Sequence, residues 1–252
     1  MRILFSKDYE SMCALAAQMI AGQVMRKPGS VLGLATGSSP IGLYRRLVGR
    51  YREGKLSFAR CVSVNLDEYC GLSADHVQSY ACFMKRHLFG HIDIPPENTH
   101  IPNGLNENAE EECAAYDALI DALGGIDLQL LGIGRNGHIG FNEPGESFPV
   151  GTRRVALTES TIKANSKFFG DETAVPKYAY TMGIRPIVQA RQVLLIASGI
   201  GKAKILHRAL FGPVTPRVPA SILQLVPKLT ICADAGALSV VAQKHPRAVE
   251  GL

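Results

Sequence analysis

Hydrophobic residues fall along this chain in two alternating patterns. Short continuous apolar runs occupy Arg2 to Phe5, Val31 to Ala35, Cys61 to Leu66, Leu128 to Ile133, Val193 to Ala197 and Leu229 to Ala233. Between most of them, apolar positions recur at the spacing of an amphipathic helix. The first such stretch runs from Asp8 to Met25, with Met12, Leu15, Ala16, Met19 and Ile20 on one face and Ser6 as its predicted N-cap. Others cover Ile41 to Arg52, Ser79 to Phe89, Glu107 to Leu123, Lys202 to Phe211 and Ala235 to Lys244. A strand that is apolar at nearly every position is buried on both faces, and strands that alternate with helices form parallel βαβ units. The pattern therefore predicts an α/β fold over residues 1–252, a single doubly wound and mostly parallel sheet with helices on both faces. Ligands of such sheets bind beyond the C-terminal ends of the strands, and the chemistry is expected there.

Composition narrows the class. With 252 residues, 46% of them apolar, the chain can bury a substantial core, which excludes disorder. Lys and Arg number 27 against 22 Asp and Glu, a net charge of +5 that favours small anions. The basic residues are scattered, with no block that reads as a nucleic-acid arm. The six cysteines include no C-x-x-C pair and read as buried free thiols in a reducing cytosol. The start, MRILFSKDYE, turns charged too soon for a signal peptide, and no apolar run approaches the ~18 residues of a membrane span. A soluble cytoplasmic protein is expected, with neither membrane nor nucleic acid as partner.

The strand ends carry the candidate chemistry. After Val31 to Ala35 come Thr36, Gly37, Ser38, Ser39 and Pro40, then a helix. Small hydroxylated residues at a helix N-terminus free backbone N–H groups for a phosphate; the plain alternative is a Ser-capped turn with Pro at the helix start. It is not a Walker loop, because the G-K-[ST] ending is missing. After Cys61 to Leu66 come Asp67 and Glu68, which as strand neighbours face opposite ways. One can serve as a general base while the other holds the loop.

After Leu128 to Ile133 comes the densest polar cluster, GRNGHIGFNEP from Gly134 to Pro144. Gly132, Gly134 and Gly137 formally spell G-x-G-x-x-G, but Gly140 and Pro144 argue for a loop where a dinucleotide site needs a helix. His138 can move a proton near neutral pH if a second group fixes its ring, and Asn136 and Glu143 are candidates for that work. No Cys/His cluster has metal-ligand spacing, so neither metal nor cofactor is expected. After Val193 to Ala197, Lys202 offers a second hold on an anion, and Lys167 a third. A phosphate cradle, a carboxylate base and an oriented His suit aldose–ketose chemistry on a sugar phosphate.

These residues also carry a resemblance. LGLATGSSP, VNLDEYCGL, HVQSY with ACFMKRHLF, GIGRNGHIGFNEPG, ANSKFF and VPKYAYTMGI resemble, in order from about Val31 to about Gln224, the glucosamine-6-phosphate deaminase family in its short bacterial form. The resemblance implies a Rossmann-like fold and conversion of glucosamine 6-phosphate and water into fructose 6-phosphate and ammonia. By position, Asp67 is the base that takes the carbon-2 proton and returns it at carbon 1. His138 accepts the ring-opening proton, assisted by Glu143 and Asn136. Thr36, Gly37, Ser38 and Ser39 with Gly137, Lys167 and Lys202 hold the substrate and its phosphate. Position 136 is Asn where many members have Asp, so it can accept a hydrogen bond without stabilising imidazolium by charge. Lys167 stands where an Arg is common, exchanging a bidentate phosphate contact for a single-point one. Of the positions used by allosteric members, Glu146 and Val155 depart and only Arg153 remains, so a non-allosteric enzyme is expected, a monomer or small homo-oligomer. Competing readings are a galactosamine-6-phosphate deaminase/isomerase, a 6-phosphogluconolactonase, which needs no enolising carboxylate, and a sugar-phosphate sensor without catalysis.

Overall fold

The six apolar runs become strands of one large parallel sheet, which two unmarked two-residue strands extend at its edges, and other short segments that the periodicity does not mark build a second, smaller one. The computed structural model describes residues 1–171 and 173–251, apart from the side chains at 160, 164, 165, 167 and 168. In chain order the elements are β1 (Arg2–Ser6), α1 (Tyr9–Arg26), β2 (Val31–Leu34), α2 (Ile41–Arg52), β3 (Val62–Asn65), β4 (Asp67–Tyr69), α3 (Tyr80–His87), β5 (Thr99–His100) and α4 (Ala109–Ala122). There follow β6 (Leu128–Leu131), β7 (Arg153–Ala156), α5 (Glu159–Phe169), β8 (Tyr178–Thr181), α6 (Ile184–Gln189), β9 (Val193–Ala197), α7 (Ala203–Phe211), β10 (Leu229–Asp234), α8 (Ala235–Lys244) and β11 (Val249–Glu250).

The eight-stranded sheet has the order β11-β1-β10-β9-β6-β2-β3-β5, and all its pairings are parallel. From β2 the chain steps outward to β3 and β5; from β6 it steps the other way, to β9 and β10. Right-handed crossovers running in opposite directions put their helices on opposite faces. Accordingly α1 packs on α2 and α7 on α8. The direction switches between β2 and β6, and a crevice must open there because their loops diverge. Among the described residues no helix is long and apolar enough to cross a membrane.

The smaller sheet, ordered β4-β8-β7, is antiparallel and pairs Asp67 with Thr181. Its strands are short, and in β7 half-buried and exposed positions alternate; such segments give no continuous apolar signal. Two helix starts also differ from expectation. Ser6 closes β1, and the Asp8 carboxylate caps α1 by accepting the Ser11 N–H at 2.7 Å. At α2 neither Ser38 nor Ser39 caps; the Tyr9 hydroxyl, carried on α1, accepts the Gly42 N–H at 2.9 Å. The two serine hydroxyls stay free of any described partner.

Asp127, just before β6, clamps the opposite end of the sheet. Its buried carboxylate accepts the Val31 N–H at 2.8 Å, Lys27 Nζ at 2.7 Å and Arg191 Nη1 at 3.2 Å. Removing it leaves a buried N–H unpaired and two cations uncompensated. Asp127→Ala is expected to lower stability by about 3 kcal/mol, and Asp127→Asn, which keeps an acceptor, by about half as much. Urea denaturation midpoints at constant m-value check both.

Candidate active site

The crevice at the switch point is lined by the loop after β2, the strand β4 and the loop after β6. Gly37, at φ +94° and with open space around it, turns the first loop. A side chain is disfavoured in that backbone conformation. Tyr44, buried on α2, donates its hydroxyl to the Ala35 carbonyl at 2.6 Å and fixes the base of the same loop.

In β4 the adjacent carboxylates separate as strand geometry demands. Glu68, 2% exposed, accepts its own neighbour's N–H at Tyr69 (2.8 Å) and the Tyr80 and Ala81 N–H groups (2.9 Å each), so it holds the N-terminus of α3. Burial pushes its carboxyl pKa up, against the pull of those three N–H donors. Asp67, 6% exposed, has no hydrogen-bond donor on its carboxylate among the described residues. Burial, with the Glu68 charge adding to it, pushes the Asp67 carboxyl up to about 8. Tyr69, Tyr80 and Phe141 pack on one another beside it, ring centroids 4.8 to 6.1 Å apart. The Tyr80 hydroxyl contacts both the Tyr69 hydroxyl, at 3.3 Å, and the Thr36 side chain, joining the base's surroundings to the hydroxyl-rich loop.

No helix opens after β6, so the G-x-G-x-x-G spacing is not a dinucleotide turn. The loop instead folds on itself: the Gly134 N–H donates to the His138 carbonyl at 2.9 Å, and Asn142 pairs with Ile139. Its glycines are dictated by close approach. A Cβ at Gly134 would lie 2.3 Å from the His138 ring. At Gly140, φ +59°, it would lie 3.1 Å from Thr181 Oγ1 and 3.5 Å from Asp67 Oδ2. The positive φ and the close Thr181 hydroxyl favour glycine there, on the side of the loop that faces Asp67. The Phe141 N–H donates to Thr181 Oγ1 at 3.1 Å, and Thr181 is the register partner of Asp67. Asn142 closes the arrangement, donating to the Ile139 and Met182 carbonyls at 2.9 Å and accepting Arg153 Nη1 at 2.7 Å.

His138 is 31% exposed, and its Nδ1 faces Glu143 Oε1 at 3.3 Å. Among the described residues no hydrogen bond joins Asn136 to the imidazole. Its amide donates to Glu143 Oε2 at 2.6 Å, while its carbonyl accepts the His138 backbone N–H at 3.2 Å. It therefore positions the Glu143 carboxylate, and through it the ring, where the sequence suggested that it sets the tautomer directly. Thr161, on α5, donates to Glu143 Oε1 at 2.9 Å and in turn accepts the Thr158 hydroxyl at 3.0 Å. Burial opposes charge on Glu143, but contacts with His138, Asn136 and Thr161 together hold its carboxyl below the usual range. Tyr80 and Thr181 lie in the HVQSY and VPKYAYTMGI motifs without being assigned a role there, and no motif contains Thr161. They are ordinary residues whose place comes from strand register and helix packing.

Lys202, half-buried ahead of α7, donates Nζ to the Ile133 carbonyl at 2.5 Å, at the end of β6. Burial, then the nearby Arg135 charge, pushes its pKa down. Thr36, Gly37, Ser38 and Ser39 at β2, Gly137 and His138 after β6, and Lys202 after β9 thus occupy the ends of adjacent strands. Lys167 lies outside the described residues.

Fold and site together define an α/β protein of the doubly wound class, with a carboxylate, an oriented imidazole and a cationic, hydroxyl-lined rim at its switch point. The chain belongs to the family described as glucosamine-6-phosphate isomerases/6-phosphogluconolactonase, which matches residues 7–231. A glucosamine-6-phosphate deaminase of Lachnoclostridium phytofermentans is 57% identical over 231 residues, covering 92% of this chain and 98% of that one. A glucosamine-6-phosphate deaminase of Clostridioides difficile is 50% identical over 249 residues, covering 99% and 100%. The solved structure of a monomeric glucosamine-6-phosphate deaminase superposes with a TM-score of 0.92 at 44% identity, covering 95% of this chain and all of that one. The 6-phosphogluconolactonase of Trypanosoma brucei, at 18% identity and a TM-score of 0.74 over 94% and 97%, shares the fold.

Asp67 also sets a pH dependence of stability. Its carboxyl titrates near 3.9 when unfolded and about 8 when folded. Between those values the folded state binds a proton that the unfolded state has lost, so this group's contribution falls as pH rises and levels off above about 8. Asp67→Asn removes this titration. The variant's stability relative to the parent is expected to climb from pH 4 to pH 8, by at most about 1.4 kcal/mol per pH unit. Denaturation midpoints of both proteins at pH 5, 6.5 and 8 check it; a constant difference across the range contradicts the buried, uncompensated carboxyl.

Proposed function

We propose that the chain is a glucosamine-6-phosphate deaminase, acting on a phosphorylated amino sugar without metal or redox cofactor. The observation that carries the reading is the Asp67 carboxylate, buried, without a donor among the described residues and facing Gly140 of the loop that holds His138. A lactonase hydrolyses an ester and has no use for such a base. Deamination needs one that can take a weakly acidic carbon-bound proton.

His138, with Nδ1 turned to Glu143, has Nε2 left to take the proton of the anomeric hydroxyl and return it to the ring oxygen as the ring opens. Glu143 stabilises the imidazolium formed, and Asn136 and Thr161 hold Glu143. In the open aldose, Asp67 takes the carbon-2 proton and delivers it to carbon 1. One proton of the substrate's ammonium group passes to the carbon-1 oxygen, and the electron pair moves so that carbon 2 becomes an iminium and carbon 1 a primary alcohol. Water adds at carbon 2, ammonia leaves, and fructose 6-phosphate remains. An ammonium group on the substrate, arriving beside Asp67, favours the charged form of the base by Coulomb attraction. The Thr36–Ser39 loop, Gly137 and the two lysines, Lys167 and Lys202, receive the phosphate.

Arg153, the one remaining residue of the allosteric set, is half-buried and engaged by Asn142. That supports an enzyme without an activator site, a monomer or small homo-oligomer of the cytoplasm. The sensor reading gains no support from a site with a built base.

Incubation with glucosamine 6-phosphate is expected to release fructose 6-phosphate and ammonia in equal amounts, with galactosamine 6-phosphate and 6-phosphogluconolactone as parallel substrates. Asp67→Asn should lose about 10³-fold in kcat with little change in substrate binding. The acid limb of kcat/KM is expected near pH 8, the free-enzyme value of the base. Turnover of the lactone alone, or an Asp67→Asn variant of normal rate, overturns the assignment.

A further inference from the structure

The loop after β6 carries a cation, within the GIGRNGHIGFNEPG motif, to which neither the sequence reading nor the proposed chemistry gives a role. Arg135 lies between Gly134 and Asn136, on an exposed turn. Its Nε is 3.9 Å from the position a Cβ would take at Gly201, so the guanidinium rests on the turn that leads into Lys202. No described residue accepts a hydrogen bond from Arg135 or forms an ion pair with it, and the Lys202 ammonium has only the Ile133 carbonyl. Among the described residues Arg135 is the charged group that acts on Lys202, and it acts to disfavour its charge. Two cations placed side by side, one half-buried and neither compensated by a carboxylate, raise each other's free energy. The arrangement becomes favourable when an anion sits between them.

The strand order says which anion. β6 lies between β2 and β9, so the loop that carries Arg135 leaves the sheet between the strand ends that carry the Thr36–Ser39 loop and Lys202. Gly37, at φ +94° and with nothing within 4 Å of where its side chain would be, leaves the first loop open on its upper side. Ser38 and Ser39, whose hydroxyls have no described partner, follow it in the same loop. We propose that Arg135 is a phosphate-binding residue, closing with Lys202 and the Thr36–Ser39 loop a clamp for the phosphate group of the sugar phosphate. This rests on the proposed function for the identity of the substrate, but not for the binding of phosphate. The guanidinium supplies what an ammonium does not, a planar fork that donates two parallel hydrogen bonds to two phosphate oxygens. It sets substrate affinity at a position remote from the reacting carbons. Its loss therefore falls on KM more than on kcat.

The test is Arg135→Gln and Arg135→Lys, both at an exposed position, with unchanged urea midpoints confirming an intact fold. Inorganic phosphate is titrated into each protein by isothermal calorimetry, and glucosamine 6-phosphate kinetics are measured in parallel. Arg135→Gln is expected to weaken phosphate binding and raise KM by about ten- to a hundredfold, with kcat within about threefold, and Arg135→Lys to recover part of the loss. Equal phosphate affinity in the parent and Arg135→Gln overturns the proposal, as does a parent that binds no phosphate. If the parent binds phosphate through Arg135 but turns over none of the sugar phosphates, the clamp stands and the deaminase reading falls.

Discussion

Charge is what makes the Asp67 carboxyl unlike the other acids of this fold. Glu68, Asp127, Asp234 and Glu143 are each met by donors: three backbone N–H groups, two cations and an N–H, a serine with two backbone N–H groups, and a histidine with an amide and a hydroxyl. Asp67 sits as deep and is left bare, so in the empty site its neutral form is favoured up to about pH 8. A fold tolerates such a group only if surrounding elements fix its position independently. The antiparallel pairing of β4 with β8, the Glu68 cap on α3 and the glycine at 140 supply that fixation. A base kept from water and near neutrality in its pKa can abstract a proton from carbon without first being desolvated.

The Glu143 carboxylate, which faces His138, shows the opposite treatment. Glu143 is held charged by the polar groups that touch it, and they come from two parts of the chain: Asn136 and His138 from its own loop, Thr161 from α5. An imidazole facing a fixed anion has its tautomer and orientation decided for it. The pair of carboxyls, one raised and one lowered, thus divides the work. In the proposed reaction Asp67 accepts the proton from carbon, while Glu143, held ionised, supports transfer between oxygens.

Much of the frame was legible from periodicity, because strands buried on both faces must be continuously apolar. The six runs are all strands of the large sheet, and the ends of α2 and α8 fall where the spacing put them. The loops at the strand ends were legible from glycine and hydroxyl content, since only a few residue types suit a tight turn over an anion. What stayed hidden had no periodic signature. The strands β4, β7 and β8 are three or four residues long and mostly polar at their ends, and they are strands because each is paired with another. Helices α5 and α6 were likewise unmarked, though α5 carries Thr161. The motif placed Asn136 beside the histidine but could not say which of its atoms faces which partner. That depended on a turn in which Gly134 folds under the ring, a matter of three dimensions.

The most direct observation is the titration of the Asp67 side-chain carboxyl itself. With the aspartates labelled at the γ-carbon, and Asp67→Asn used to assign the resonance, its chemical shift is followed from pH 3 to pH 10. An inflection near 8 is expected in the ligand-free protein. An inflection near 4, the ordinary value, would mean a solvated or hydrogen-bonded carboxylate and would contradict a base whose pKa is raised by burial.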